Sequence, residues 1–294
     1  MRLRGNGMTF ISWLTRRLGG GVGSMPLVSV VVPTHNSADS LRACLESIKN
    51  QAYPSVEAVV IDNNSTDATL EVARALTSHV YTQGPERSAQ RNRGAREARG
   101  AYLLFVDSDM VLVPDVVEQC VRLMASAPDI TGVVIPETSV GEGFWARCKA
   151  LERSCYVGDP TIEAARFFAR ETFDVVGGYD EALTGPEDWD FSQRAACLGR
   201  LGRIDVYITH LEGRLTLGET MRSKFYYGKT MGIYMRKQSG SAVRQLQLVR
   251  PAFLRHWRRL LAHPVLTTGM VVMKVGEFAA GGMGLLLAFR RTDR

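Results

Sequence analysis

A chain of 294 residues, 45% hydrophobic and 22% charged, has enough apolar mass for one large domain or for a catalytic domain with an appendage. Disorder over the bulk is excluded, and a mean hydropathy of -0.06 excludes a polytopic membrane protein, so any membrane contact is local. A formal charge of +6 and a pI near 9.2 leave three partner classes: nucleic acid, an anionic membrane surface, or a phosphorylated substrate.

Residues 1–25 are basic, contain GGGVG and lack an apolar run long enough for a secretory signal, so they read as a flexible extension, with MTFISWLTRRL as a weak amphipathic anchor in the rival reading. From Pro26 onward, short apolar runs alternate with amphipathic stretches, the pattern of βαβ units and a mainly parallel sheet. The first strand is VSVVV, ending at Pro33. A helix capped by Ser37 or Asp39 follows, with Leu41, Cys44, Leu45 and Ile48 on one face. VEAVVI is the second strand and stops at Asp62, where DNNSTD supplies turn and capping chemistry for a helix holding Leu70, Val72 and Ala73. HVYT is a short strand. After a polar helix rich in Arg and Ala comes YLLFV, the strongest strand signal, which stops at Asp107. RIDVYIT is read as a later strand ending at His210.

Ligands of an open α/β sheet sit at the carboxyl ends of its strands, so Pro33 to Asn36, Asp62 to Asp67 and Asp107 to Asp109 should converge on one crevice. No GxGxxG or GxxxxGK[ST] follows any strand, which excludes a dinucleotide fold and a P-loop. Asp107-Ser108-Asp109 places two carboxylates after a buried strand, and hard oxygen ligands suit Mg2+ or Mn2+ carrying a diphosphate. The same residues also serve as turn and cap chemistry. A second acidic group, Glu187-Asp188-Trp189-Asp190, opens the amphipathic helix WDFSQRAACLG. Such residues are ordinary partners of a helix dipole, yet the turn-rich GGYDEALTGP before them can bring a carboxylate to the crevice as a proton acceptor.

VSVVVPTHN, VVIDNNSTD, RSAQRNRGAREARGAYLLFVDSDM and VGGYDEALTGPEDWDFSQR, taken in this order, resemble glycosyltransferase family 2, the inverting enzymes with a GT-A fold. The resemblance runs from about Pro26 to His210 and is silent on the sugar. It implies an α/β, Rossmann-like catalytic domain over 26–213, with a nucleotide-sugar half at about 26–113 and an acceptor half at about 114–213. It further implies a donor site drawing on Pro33, Thr34, His35, Asp62, Arg87, Arg91 and Asp107, with Asp62 on the base and the two arginines near the nucleotide or its diphosphate. Asp107 looks like the ribose or metal partner, Asp109 like the direct metal ligand, His210 like a further metal or diphosphate ligand, and Asp188 like the general base. Glu187, Trp189 and Asp190 fall on the acceptor side. His35 stands where the family often has Tyr, and Asn63 where it often has a second Asp, which leaves the base open.

Inverting transfer is one in-line displacement that needs one base, with Mg2+ or Mn2+ neutralising the leaving diphosphate. Glycosidases pair carboxylates too, but need no nucleotide crevice. A nucleotidyltransferase and a non-catalytic, membrane-anchored nucleotide-binding scaffold are the rival readings. The first usually shows a Gly-rich basic loop after its first strand, which is absent here.

After His210 the composition changes. From Arg214 to Arg259 the charges are nearly all positive, with Tyr226, Tyr227, Tyr234 and Trp257 among them. No nucleic-acid module is recognisable, so an anionic membrane surface or a lipid-linked diphosphate is the better match. LLAHPVLTTGMVVM and FAAGGMGLLLAF are each shorter than the roughly twenty apolar residues of a spanning helix. Joined, they would place Lys274 and Glu277 near mid-membrane, at about 3 kcal/mol for each charge. Residues 214–294 are therefore read as an amphipathic helical tail lying in the interface or forming a re-entrant hairpin at the cytoplasmic face of the cell membrane. A single pass and a core helix pair are the alternatives. The acceptor implied is lipid-linked or an envelope glycan, with no nucleic-acid partner. The five cysteines are scattered and odd in number, which suits buried thiols of a reducing compartment and no zinc site.

Overall fold

The computed structural model describes residues 25–238, 247 and 250–292; the expectations for the N-terminal extension fall outside these. Strand β1 (Val28–Thr34) is buried along its whole length, as a β-branched run covered on both faces must be. It pairs in parallel with β2 (Val56–Asp62) and with β4 (Tyr102–Phe105), and β2 pairs in parallel with β3 (His79–Thr82). Helices α1 (Ala38–Lys49), α2 (Thr69–Leu76) and α3 (Arg87–Glu97) make the crossovers. Leu41, Cys44, Leu45 and Ile48 of α1 are buried together, as their spacing requires. Ser37 is the N-cap residue, but its side chain makes no cap bond: its hydroxyl accepts from Ser108 Oγ at 2.9 Å, which ties two strand-end loops together.

The chain then runs through β5 (Met110–Leu112), α4 (Val116–Ser126), β6 (Ile130–Val134), β7 (Glu137–Glu142), α5 (Gly143–Ser154), β8 (Ala165–Ala169), α6 (Arg170–Val176) and α7 (Glu187–Ala196). It continues with β9 (Arg200–Arg203) and β10 (Ile208–Arg214). Seven strands form one sheet in the order β3-β2-β1-β4-β8-β6-β9, with β8 antiparallel to both neighbours. A second sheet has the order β5-β10-β7. The single strand expected at RIDVYIT is therefore two elements. The chain leaves the first sheet after Arg203, passes the fully exposed Asp205, and enters the second sheet at Ile208. One core lies between the large sheet and α1 and α4; the other joins Phe105, Phe168, Phe173, Tyr179 and Phe191 on the opposite face. Four of the cysteines are buried, but Cys197 is exposed at the end of α7, against the expectation of core thiols throughout.

Among the described residues the chain continues with α8 (Leu217–Lys237), α9 (Pro251–Arg255), α10 (Trp257–Ala262) and α11 (Pro264–Thr292). The two apolar segments form one continuous helix, so no hairpin turns within them; Pro264 starts it, and LLA belongs to α10. On α11 the buried positions Met270, Met273, Lys274, Glu277 and Ala280 recur at three- and four-residue spacing. Met270 and Met273 share a core with Cys148 and Leu151 of α5. Lys274 lies 2.8 Å from Glu152 and 3.5 Å from Glu277, and Lys149 lies 2.8 Å from Glu277, so these charges are paired across to α5. Helix α8 crosses α11 where Gly228 faces Gly281 and Gly284 faces Phe225, and a Cβ on Gly228 or Gly284 would overlap the opposing backbone.

Candidate active site

The three strand-end loops meet as the alternation of elements implies. Asn36 and Asn64 adopt positive φ, which asparagine tolerates. Asn36 N–H donates to Ser65 Oγ at 2.8 Å, and Thr66 N–H donates to Asn36 Oδ1 at 2.9 Å. His35 Nδ1 lies 2.8 Å from the Asn63 carbonyl oxygen. Pro33 and Thr34 are buried in β1. Thr34 Oγ1 donates to Asp62 Oδ1 at 3.0 Å and Ser65 N–H to Asp62 Oδ2 at 2.8 Å, so Asp62 holds the two loops together.

Beside these loops lies a cavity of about 470 Å³. His35, Asn63, Arg87 and Gln90 line it from the sheet side, and Arg222, Tyr226 and Tyr227 from α8. Arg87 Nη2 donates to Tyr227 Oη at 3.3 Å, and Tyr226 Oη donates to Glu86. The basic, aromatic stretch after His210, read as facing a membrane, thus sends these residues over the crevice instead. Basic residues with paired tyrosines on a helix were the only sequence signal for this.

Deeper in, one guanidinium organises the carboxylates. Arg91 is fully buried; its Nη1 donates to Asp188 Oδ1 at 2.7 Å and lies 3.3 Å from Glu187 Oε1, and its Nη2 donates to Asp107 Oδ1 at 2.8 Å. The group sits 5.1 Å from the centre of the Tyr179 ring. Burial favours a neutral Asp107, but Arg91, Arg166 and Arg87 outweigh it and hold that carboxyl well below the usual carboxylate range. Burial and the nearby Asp188 push the Tyr179 hydroxyl far up. Arg91, expected near the nucleotide or its diphosphate, is paired here with the protein's own carboxylates, whereas Arg87 keeps a face on the cavity. Glu187 accepts from the Gly185 N–H and pairs with Arg87 at 3.5 Å, while Asp190 is clamped to Arg194 at 2.8 Å. Of the three residues expected on the acceptor side, Glu187 and Asp190 are buried and paired within the protein, and Trp189 lines a cavity described below.

Asp107 also lies 3.7 Å from Arg166 Nη1, whose Nη2 pairs with Glu137 Oε1 at 2.6 Å. Arg166, Glu137 and Tyr179 were missed in the sequence because nothing local to β8, β7 or the turn before α7 marks them. Asp109 and His210, 101 positions apart by number, come together across β5 and β10, with His210 Nε2 3.2 Å from Asp109 Oδ2. The other imidazole nitrogen lies 3.1 Å from Glu212. Burial would lower the His210 pKa, but hydrogen bonds to Asp109 and Glu212 prevail and push it up to about 9.

Among the described residues no three carboxylate, imidazole or thiol groups already form a metal cage, and Asp107 is turned to its arginines. Asp109 and His210 nevertheless fit a divalent cation. Asp109 Oδ1 is buried without a hydrogen-bond partner and as a carboxylate oxygen suits Mg2+ or Mn2+, and His210 could join it on releasing the proton that Asp109 and Glu212 hold there.

On the other side of the arginine cluster lies a second cavity of about 300 Å³, where Asp188 and Trp189 meet Arg153 and Arg166 and the α8 and α11 residues Lys224, Lys274 and Glu277. The Trp189 indole N–H donates to the Ile162 carbonyl at 2.8 Å, which fixes its ring in the wall. Among the described residues, Asp188 is thus the one carboxylate that both touches Arg91 and opens on this second cavity.

The family model described as Glycosyl transferase family 2 matches residues 29–179. This chain belongs to that family. Among curated relatives, the Putative glycosyltransferase EpsH of Bacillus subtilis is 36% identical over 118 residues, covering 37% of this chain and 33% of the relative. Chondroitin synthase of Escherichia coli is 26% identical over 195 residues, covering 62% of this chain and 28% of the relative. The matched stretch is thus about a third or less of either protein. Of solved structures, the mannosyltransferase PcManGT of Pyrobaculum calidifontis, in complex with GDP-Man and Mn2+, superposes with a TM-score of 0.62 at 19% identity, covering 93% of both chains. S. aureus TarS 1-349 in complex with UDP-GlcNAc gives 0.52 at 15% identity over 90% of this chain and 92% of that one. These likenesses establish the GT-A fold expected for the family 2 chain.

Proposed function

We propose that this family 2 glycosyltransferase transfers a sugar from a nucleoside-diphosphate donor to an acceptor hydroxyl with inversion, at the cytoplasmic face of a membrane. The observation that carries the reading is the position of Asp188 between the arginine cluster and the second cavity. Arg91 Nη1 holds one carboxylate oxygen at 2.7 Å, which orients the group, and the carboxylate can accept a proton from a hydroxyl in that cavity. As the acceptor oxygen bonds to the anomeric carbon, its proton passes to Asp188. The carbon–oxygen bond to the diphosphate breaks, and the electron pair leaves with the nucleoside diphosphate. Arg87 faces the first cavity and supplies positive charge on the donor side. Asp109 and His210 would hold Mg2+ or Mn2+, which when bound neutralises charge on the departing diphosphate. Mn2+ beside GDP-Man in the PcManGT complex supports this for a protein of the same fold.

The membrane reading rests on α11. Pro264–Ala288 is long and apolar enough to cross a membrane by length and composition. Its charged residues, however, face the catalytic domain, whereas Val265, Val271, Val272, Val275, Met283, Leu286 and Leu287 are exposed. Exposed Trp257 and the nearby Arg255, Arg258 and Arg259 complete a surface for anionic lipid. The helix therefore lies along the membrane, and the acceptor is lipid-linked or an envelope glycan.

Thermal stabilisation by a panel of nucleoside diphosphates, each with and without Mn2+, tests the donor site, with a metal-dependent shift for one nucleotide as the expected result. Asp188→Asn should then lose at least about a hundredfold in turnover while keeping that shift. Unchanged turnover sinks the assignment. Flotation with vesicles containing anionic lipid should be lost on replacing Val272, Val275 and Leu286 by Gln; retained flotation refutes the surface.

A further inference from the structure

The second cavity carries an unbalanced charge: six cationic side chains line it, Arg250 among them, against five carboxylates. Lys149 and Lys274 are shared between Glu152 and Glu277, at 2.8–3.5 Å. Arg166 and Arg153 pair with Glu137 at 2.6 and 3.3 Å. Arg203 takes Glu163 at 3.0 Å, and Arg91 takes Asp188 at 2.7 Å. Each of these carboxylates has its cation. Lys224 of α8 makes no hydrogen bond or ion pair among the described residues, and its ammonium lies 5.9 Å from the centre of the Tyr227 ring. It is half-buried, and burial together with the neighbouring Lys149 lowers its pKa to about 8, despite the opposing effect of Glu277 and Glu152. A cation so placed lacks full hydration and any carboxylate within ion-pair distance.

We infer that the cavity beside Asp188 takes an acceptor bearing an oxyanion, and that Lys224 binds that anion while Asp188 receives the hydroxyl proton. This rests on the reading of Asp188 as the base. At about 300 Å³ the cavity is at the small end of ligand sites, so the anion and the accepting group belong to the same sugar- or headgroup-sized unit. The cavity is walled on one side by α8 and α11, and α11 also carries the exposed apolar face. The shared chemistry is an oxyanion, from a lipid phosphate or from the carboxylate of an acidic sugar. Lys224 distinguishes such an acceptor from its neutral analogue, because without the anion the ammonium stays unpaired.

The test uses the full-length protein in detergent and calorimetric titration with four probes: decyl phosphate, glucuronic acid, and their neutral counterparts decanol and glucose. At least one anion is expected to bind tenfold or more tighter than its neutral counterpart. Lys224→Gln should remove that preference and Lys224→Arg retain it, with folding checked by circular dichroism. A preference confined to decyl phosphate names the lipid source, and one confined to glucuronic acid names the acidic sugar; either supports the inference. If neither anion is preferred in the unaltered protein, or the preference survives in folded Lys224→Gln, the inference is overturned. The nucleotide-dependent thermal shift, measured on the same samples, reads the transferase assignment separately.

Discussion

Replacing Arg91 by Met should destabilise the chain by about 3–5 kcal/mol, the range for removing one partner of a buried ion pair. The structure places the value within that range. Three carboxylates share the guanidinium at 2.7, 2.8 and 3.3 Å, but Asp107 keeps Arg166 at 3.7 Å and Glu187 keeps Arg87 at 3.5 Å. Only Asp188 loses its direct cationic partner, and with 24% of its side chain exposed it can turn partly to water, which favours the lower end. Loss of the guanidinium beside the Tyr179 ring adds roughly 1–2 kcal/mol. The pH dependence follows from Asp107, whose folded pKa is depressed. Its contribution is present above the unfolded carboxylate value and fades as pH falls from about 4 toward the folded one, so the gap between Arg91→Met and the parent should be level near neutral pH and narrower at about pH 3 than at pH 7. Urea unfolding of both proteins at the two pH values measures it. A gap under about 1 kcal/mol at pH 7, or one that widens on acidification, would refute the assignment of Arg91 as the organiser of the carboxylates.

Asp109→Ala should abolish the Mn2+-dependent part of the nucleotide thermal shift and leave any metal-free part, as read by scanning fluorimetry; a surviving metal effect places the cation elsewhere. Glu152→Gln strips Lys149 and Lys274 of one shared carboxylate and should cost roughly 3 kcal/mol. That corresponds to a fall in Tm on the order of 6–12 °C, and an unchanged Tm would mean that the buried charge network contributes nothing. Gly284→Leu forces α8 from α11 at the Phe225 backbone and should cost about 1–3 kcal/mol. Donor affinity should fall with it, since α8 carries Tyr226 and Tyr227. Gly282→Leu, with open space at its Cβ, is the control expected to change neither.

The alternation of apolar runs with amphipathic helices was enough to place β1, β2, β3 and β4; β1 and β4, covered on both faces, are buried along their length, while β2 is buried over its second half and β3 is not. The loops that follow such strands then have to share an edge, so the meeting of His35, Asn63 and Ser108 was implicit in the order of elements. The split of RIDVYIT was not legible: both pieces have strand composition, and which sheet each joins depends on partners more than 60 residues away, Val134 for Ile204 and Leu112 for Ile208. The same holds for charge. An aspartate or arginine in a motif has the same composition whether it meets a ligand or another side chain, and Arg91, Glu187 and Asp190 proved to be paired within the protein. Lys274 and Glu277 looked like a cost to a membrane helix, and packing against α5 made them the buried side of α11, leaving its apolar side outward. Local pattern sets the type of each element, because backbone geometry repeats over a few residues. The counter-charge of a side chain, and so its chemistry, is set by contacts that only the folded chain brings within a few ångströms.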